Sequence, residues 1–152
     1  MNAGTRMPRG WTVVELMMAA LVLAVLAMIA VPSYRGQLHR AHRSDARVAL
    51  LALGTAQERF HLLCNAYAGT LSPTGPPDCP TGRMQGSTTS PQGHYRLTIT
   101  AADTDGWRAE AVPAGPPQTE DRRCQSFGLE SSGARSARDD GGADRRVECW
   151  GG

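Results

Sequence analysis

No lysine occurs in the chain: all 16 of its lysine-or-arginine positions are arginine, a bias read here as compositional and without functional weight. Net charge is also nearly absent, at +2. Without Arg6 and Arg9 the rest of the chain carries 14 basic against 14 acidic groups, so there is no global field to attract nucleic acid. No nucleophile elbow, phosphate loop or paired catalytic groups can be found, which excludes the common enzyme classes, and no repeat of useful length appears. The four cysteines, Cys64, Cys79, Cys124 and Cys149, form no C-x-x-C pair. With an apolar N-terminal segment ahead of them, they point to disulfides in an oxidising compartment and away from zinc or thioredoxin-like chemistry. At 152 residues there is room for one compact domain and one further element.

What the chain does have is an uneven distribution of apolar residues. Leu16 to Val31 is an uninterrupted non-ionisable run, and the stretch from Trp11 contains one charge, Glu15. As a helix the longer stretch spans about 30 Å, the thickness of the hydrocarbon layer of a bilayer. A cleaved secretory signal fits less well: the run is long, it holds a carboxylate, and it ends at Ala30-Val31-Pro32 without a small-x-small site. A plain signal anchor explains the length and leaves Glu15 unexplained. An ionised acid in a membrane helix costs roughly 2.5–3.5 kcal/mol, so Glu15 asks for a cation.

The residues Arg9-Gly10-Trp11-Thr12-Val13-Val14-Glu15-Leu16-Met17 resemble the class III signal of type IV prepilins: a short basic leader ending in Gly, an aromatic first residue where the family usually has Phe, and Glu four residues later. The likeness continues through Val31-Pro32-Ser33-Tyr34, the basic stretch Arg35 to Arg47, Ala49-Leu50-Leu51 and Gln57-Glu58-Arg59-Phe60, and looks most like the PilE kind of minor pilin. It covers about the first 67 residues; beyond them it is confined to a strand pair and the terminal Cys149-Trp150. The resemblance implies cleavage between Gly10 and Trp11 by a prepilin peptidase, methylation of the new amine, and pairing of that amine with Glu15 of another subunit during assembly.

Residues 38–63 read as an amphipathic helix with Ala41, Val48, Ala52, Ala56, Phe60 and Leu63 on its apolar face. Arg43, Arg47, Asp45 and Glu58 are then expected on a solvated side. Pro32 removes a backbone donor and is expected to kink or loosen the helix between Ala30 and Tyr34. Ala68 to Gly93, with five prolines and five glycines, reads as a long surface loop. Tyr95, Leu97, Ile99 and Ala101 alternate with polar residues, and Asp103-Thr104-Asp105-Gly106 turns the chain into Trp107 to Ala111, which predicts a hairpin with one buried face. Phe127 and Leu129 suggest a third strand and Val147 to Trp150 a fourth.

Each group that could carry chemistry has a plainer explanation. His39 and His42 lack a third metal ligand and lie in a basic stretch, so they read as a solvated face. Asp103 and Asp105 fit a hairpin tip better than half a calcium loop. Asp139 to Asp144 fits a disordered acidic loop better than a calcium site. The arginines at 122, 123, 135, 138, 145 and 146 have acids among them and read as surface ion pairs, not as a DNA patch. No metal and no cofactor is expected.

The sequence therefore predicts an α+β chain with the type IV pilin fold: leader 1–10, membrane and polymerisation helix 11–34, amphipathic helix 35–67, and a loop, antiparallel sheet and disulfide-bonded C-terminal region over 68–152. The most local of the three disulfide connectivities pairs Cys64 with Cys79 and Cys124 with Cys149. The expected role is a non-enzymatic minor pilus subunit, anchored in the inner membrane with a periplasmic head before it joins an extracellular filament for adhesion or twitching motility. Expected partners are other pilins, the peptidase and the assembly machinery, not nucleic acid. The alternatives are a type II secretion pseudopilin and a DNA-uptake pilin with a DNA-binding head.

Overall fold

The structure, a computed structural model, describes residues 12–151. Its first element is helix α1, Val13–Cys64. Thr12 begins it: the Thr12 carbonyl accepts the Leu16 N–H at 3.1 Å, and Thr12 Oγ1 accepts the Glu15 N–H at 3.2 Å, satisfying a donor that a helix start leaves open. Helix is assigned through Pro32. The chain divides into two compact units, Met1–Gln37 and Leu38–Gly152. In the first, Val13–Ala30 has a mean hydropathy of 2.7 and none of it is buried. Its 18 residues rise by about 27 Å, long enough to cross a bilayer core.

The second unit is a head in which the rest of α1 packs on a sheet. After α1 come β1 (Thr70–Ser72), β2 (Arg83–Gln85), β3 (Tyr95–Ala102), β4 (Trp107–Pro113), a 3-10 turn at Gln118–Glu120, β5 (Ser126–Glu130), β6 (Arg135–Arg138) and helix α2 (Arg146–Trp150). Strands β3-β4-β5-β6 form an antiparallel meander. Strands β1 and β2 pair in parallel, Thr70 opposite Arg83, so the stretch read as a loop contains a small sheet of its own. That sheet carries little sequence signal because each strand is only three residues long.

Along α1 the buried stripe is Ala46, Ala49, Leu50, Leu53, Gln57 and Phe60. It meets Tyr95 and Leu97 of β3, Trp107, Ala109 and Ala111 of β4, and Phe127 and Leu129 of β5 in one core. Gly54 lets the helix approach the sheet: a Cβ there would lie 3.2 Å from the Trp107 ring. The face predicted from periodicity is corrected. Phe60 is buried and Ala56 partly so, but Ala41, Val48, Ala52 and Leu63 are exposed. The expected alternation of β3 also fails at its end, since a bulge between Ile99 and Ala101 turns Ala101 outward and Ala102 toward the core. The fourth strand is β6, not Val147 to Trp150, which is helical. Cys149 and Trp150 are consecutive and both buried, which a half-buried strand does not allow.

Candidate functional site

Of the residues singled out for processing, Gly10 and Trp11 lie outside the described residues. Glu15 sits in the first turn of α1 and is exposed. Its carboxylate stands where a helix dipole favours negative charge, and Thr12-Val13-Val14-Glu15 has the spacing of a capping box. That signal was legible in the sequence and was missed. Pro32 lies within α1.

The four cysteines form two disulfides, Cys64–Cys79 and Cys124–Cys149. The first ties the end of α1 to the segment between β1 and β2, and its Cys79 is exposed. The second is buried at both sulfurs and holds α2 against the sheet. Trp150 there packs edge-on to Phe127 at 6.1 Å, its indole N–H donates to the Ser136 carbonyl at 2.8 Å, and Arg135 lies over its ring at 5.1 Å.

The charged residues expected on a solvated side of α1 are the largest departure from the sequence reading. Arg43 and Asp121 are 7% and 5% exposed and form a bidentate pair, Nε to Oδ2 at 2.7 Å and Nη2 to Oδ1 at 2.9 Å. Gln118 Nε2 also donates to Asp121 at 3.1 Å. The carboxylate raises the Arg43 pKa through that hydrogen bond. Asp45, also buried, accepts from Ser90 Oγ and from the backbone N–H groups of Gln92 and His94, so it organises the entry to β3. Glu58 is exposed.

His39 and His42 are half-buried, not solvated. The His42 ring stacks on His94 at 3.8 Å. Burial, then the neighbouring His94, lowers the His42 pKa, while Gln118 and Asp45 oppose the shift and His39 adds to it. A lowered folded pKa means that between that value and about 6.5 the unfolded chain holds more protons, so stability falls as pH drops through this window. We expect the urea midpoint of the full-length protein to fall between pH 7.5 and pH 5.5, and the fall to shrink in His42→Phe; an equal fall in the variant would assign the effect to other groups.

The acidic segment after β6 is ordered. Asp139 Oδ1 accepts the N–H groups of Gly141 and Ala143, and Oδ2 accepts Arg145 Nε at 3.0 Å; these bonds, led by the Ala143 amide, lower its pKa. At the β3–β4 turn Asp103 Oδ1 accepts from the N–H groups of Asp105 and Gly106. Among the described residues no group of three or more His, Cys, Asp or Glu side chains could hold a metal ion. Of the arginine cluster, Arg123 pairs with Glu148 at 2.9 Å, Arg145 with Asp139 at 3.0 Å and Arg122 with Asp140 at 3.9 Å.

An apolar, unburied helix leading into an α+β head with a four-stranded antiparallel meander is thus the protein's plan. Residues 32–128 match the family of the type IV minor pilin ComP, DNA uptake sequence receptor, and the chain belongs to the type IV pilins. It is 32% identical over 136 residues to the type IV major pilin protein PilA of Myxococcus xanthus (strain DK1622), covering 87% of this chain and 54% of that protein; the chain spans about half the length of that relative. Two solved structures are similar. The non-core minor pilin PilV of Neisseria meningitidis is 16% identical with a TM-score of 0.49, over 70% of this chain and 93% of that one. A type IV pilin from Shewanella oneidensis is 25% identical with a TM-score of 0.41, over 64% and 89%.

Proposed function

We propose that the chain is a structural, non-enzymatic subunit of a type IV pilus, made as a prepilin and cut between Gly10 and Trp11. Val13–Ala30 holds it in the inner membrane, with the head in the periplasm, until the same helix is drawn into the filament. The observation that carries this reading is that all of Val13–Ala30 is apolar and unburied apart from the single carboxylate of Glu15 at its start. Such a surface needs cover: lipid first, then the helices of neighbouring subunits. On the head, Val48, Leu51, Leu62 and Leu63 add exposed apolar side chains of α1, to be covered in the same packing. Cleavage supplies a cationic amine on Trp11 that can neutralise Glu15 of a neighbour, an attraction stronger in low dielectric than in water though reduced by desolvation. Pro32 is the point at which α1 yields during extraction. The family and the Myxococcus relative are pilus subunits by name, which favours the pilus over a secretion pseudopilus.

In the test, mass spectrometry of sheared filaments should find the chain beginning at Trp11. Glu15→Val should insert in the membrane, keep its head disulfides, and fall at least about tenfold in filaments at equal expression. An intact leader in assembled filaments, or Glu15→Val incorporated like wild type, would sink the reading.

A second reading, a DNA-uptake pilin, is favoured by the description of the matched family as a DNA uptake sequence receptor. Arg135 and Arg138 of β6 and Arg146 at the start of α2 are exposed and would meet phosphates. Binding of the full-length protein to duplex DNA that weakens with salt would support it.

A further inference from the structure

Arg40, Arg43 and Arg47 lie at helical spacings on one stripe of α1 and line a groove of about 330 Å³ with Glu148, Cys149 and Gly151. Like charges three and four residues apart on a helix repel. Among the described residues only Arg43 of the three has a carboxylate partner. Arg47 donates one N–H to the Trp150 carbonyl at 2.8 Å, and Glu148 is held by Arg123. Among the described residues the groove thus keeps positive charge at Arg40 and Arg47 that no ion pair neutralises.

The C-terminal end of α1 in the head carries exposed carboxylates. The Tyr67 N–H donates to the Asp103 carbonyl at 2.9 Å, and Tyr67 stacks on His61 at 4.4 Å, which seats the β3–β4 turn against the C-terminal end of α1. Asp103 and Asp105 in that turn and Glu58 beside it are exposed. Arg108 of β4, just after the turn, is paired with Glu130 at 2.9 Å. Arg40 and Glu58 are separated along α1 by about 27 Å.

We propose that the arginine groove receives the Asp103–Asp105 turn of a second copy of this chain, a head-to-tail contact. A patch that binds a different patch of its own kind generates open filaments, and charge complementarity of this type sets register and rejects wrong arrangements. The proposal rests on the filament reading above and names the contact by which heads stack within it.

Arg40 and Asp105 suit a test because neither side chain makes a hydrogen bond or ion pair among the described residues. In cells that assemble filaments, full-length Arg40→Glu and Asp105→Arg should each fall at least about tenfold in sheared filaments relative to the membrane pool, because each places like charges together. The double variant restores opposite charges in reverse and should return to within about threefold of wild type. Either single variant incorporated like wild type, or a double variant no better than the singles, overturns the contact and leaves the filament reading standing. Absence of the wild-type chain from filaments sinks both. If Arg40→Glu loses salt-dependent DNA binding but enters filaments normally, the groove serves phosphates and the proposal is wrong.

Discussion

Asp121→Ala is expected to destabilise the head by about 3–5 kcal/mol, the cost of leaving one member of a buried ion pair without its partner. Arg43, a residue 7% exposed, would keep its charge and lose both of its bonds to Asp121, and Gln118 Nε2 would lose its acceptor as well. Domain stabilities are about 5–15 kcal/mol, so the variant should be largely unfolded in mild urea. Tyr95 lies in the same environment: burial raises its pKa, with Asp121 adding to the rise and Arg43 opposing it. Among the described residues no hydrogen bond anchors its hydroxyl, so packing alone holds it and loosening there would propagate to the core Tyr95 shares with Phe127. The double variant Arg43→Met with Asp121→Leu removes both charges and should recover most of the loss, because an apolar pair of similar volume carries no desolvation penalty. Urea unfolding of the full-length protein in detergent reads both. A loss below about 1 kcal/mol for Asp121→Ala would show that the pair behaves as a surface ion pair.

The Arg43–Asp121 pair also shows why the sequence revealed the elements of the head more readily than their facing. The β3–β4 hairpin announced itself through alternation and the Asp105-Gly106 tip, and α1 through its apolar run and helical periodicity. Nothing local marks Arg43, Asp45 and Gln57 as inward. Arg43 is satisfied by a residue 78 positions away, Asp45 by Ser90, 45 positions away, and Gln57 by both backbone groups of Ala68. Periodicity counts hydrophobicity and cannot count partners supplied by distant loops, so it chose the stripe through Val48, Ala52 and Leu63. Those residues are apolar for a reason outside the isolated head if the filament reading holds. Helix α2 was misread on similar grounds: Val147 and Trp150 look like strand residues, while Trp150 is inward because of Phe127 and Ser136 on the sheet. For the candidate site the balance reverses. Glu15 and the apolar helix stood out at once, since an acid at the start of a membrane-length run is conspicuous, whereas the arginine groove needed the C-terminal segment folded against α1 to exist at all.

Changing Cys124 and Cys149 together to alanine should remove about 3 kcal/mol of head stability, the entropy that closing a loop of this size takes from the unfolded chain. The two residues are 25 apart in sequence. The loss has a structural address. Helix α2 is only five residues long, too short to persist alone, and besides the disulfide it is held by the Arg123–Glu148 pair and by the Trp150 contacts with Phe127, Ser136, Arg47 and Arg135. Releasing it would dismantle one wall of the arginine groove, so this variant should also enter filaments poorly if the groove docks a second copy. The two disulfides should separate by accessibility before any mutation is made. Cys79 is exposed and Cys64 partly so, whereas Cys124 and Cys149 are 0% and 2% exposed, and thiol–disulfide exchange needs an attacking thiolate to reach sulfur. Under mild reductant at neutral pH, alkylation followed by peptide mass spectrometry should find Cys64 and Cys79 labelled at least about tenfold faster than Cys124 and Cys149. The slower pair should open with unfolding of the head, and urea should accelerate its labelling much more than that of the faster pair. Equal labelling rates in buffer would mean that the C-terminal clamp opens without unfolding, and the stability assigned to it here would then be too large.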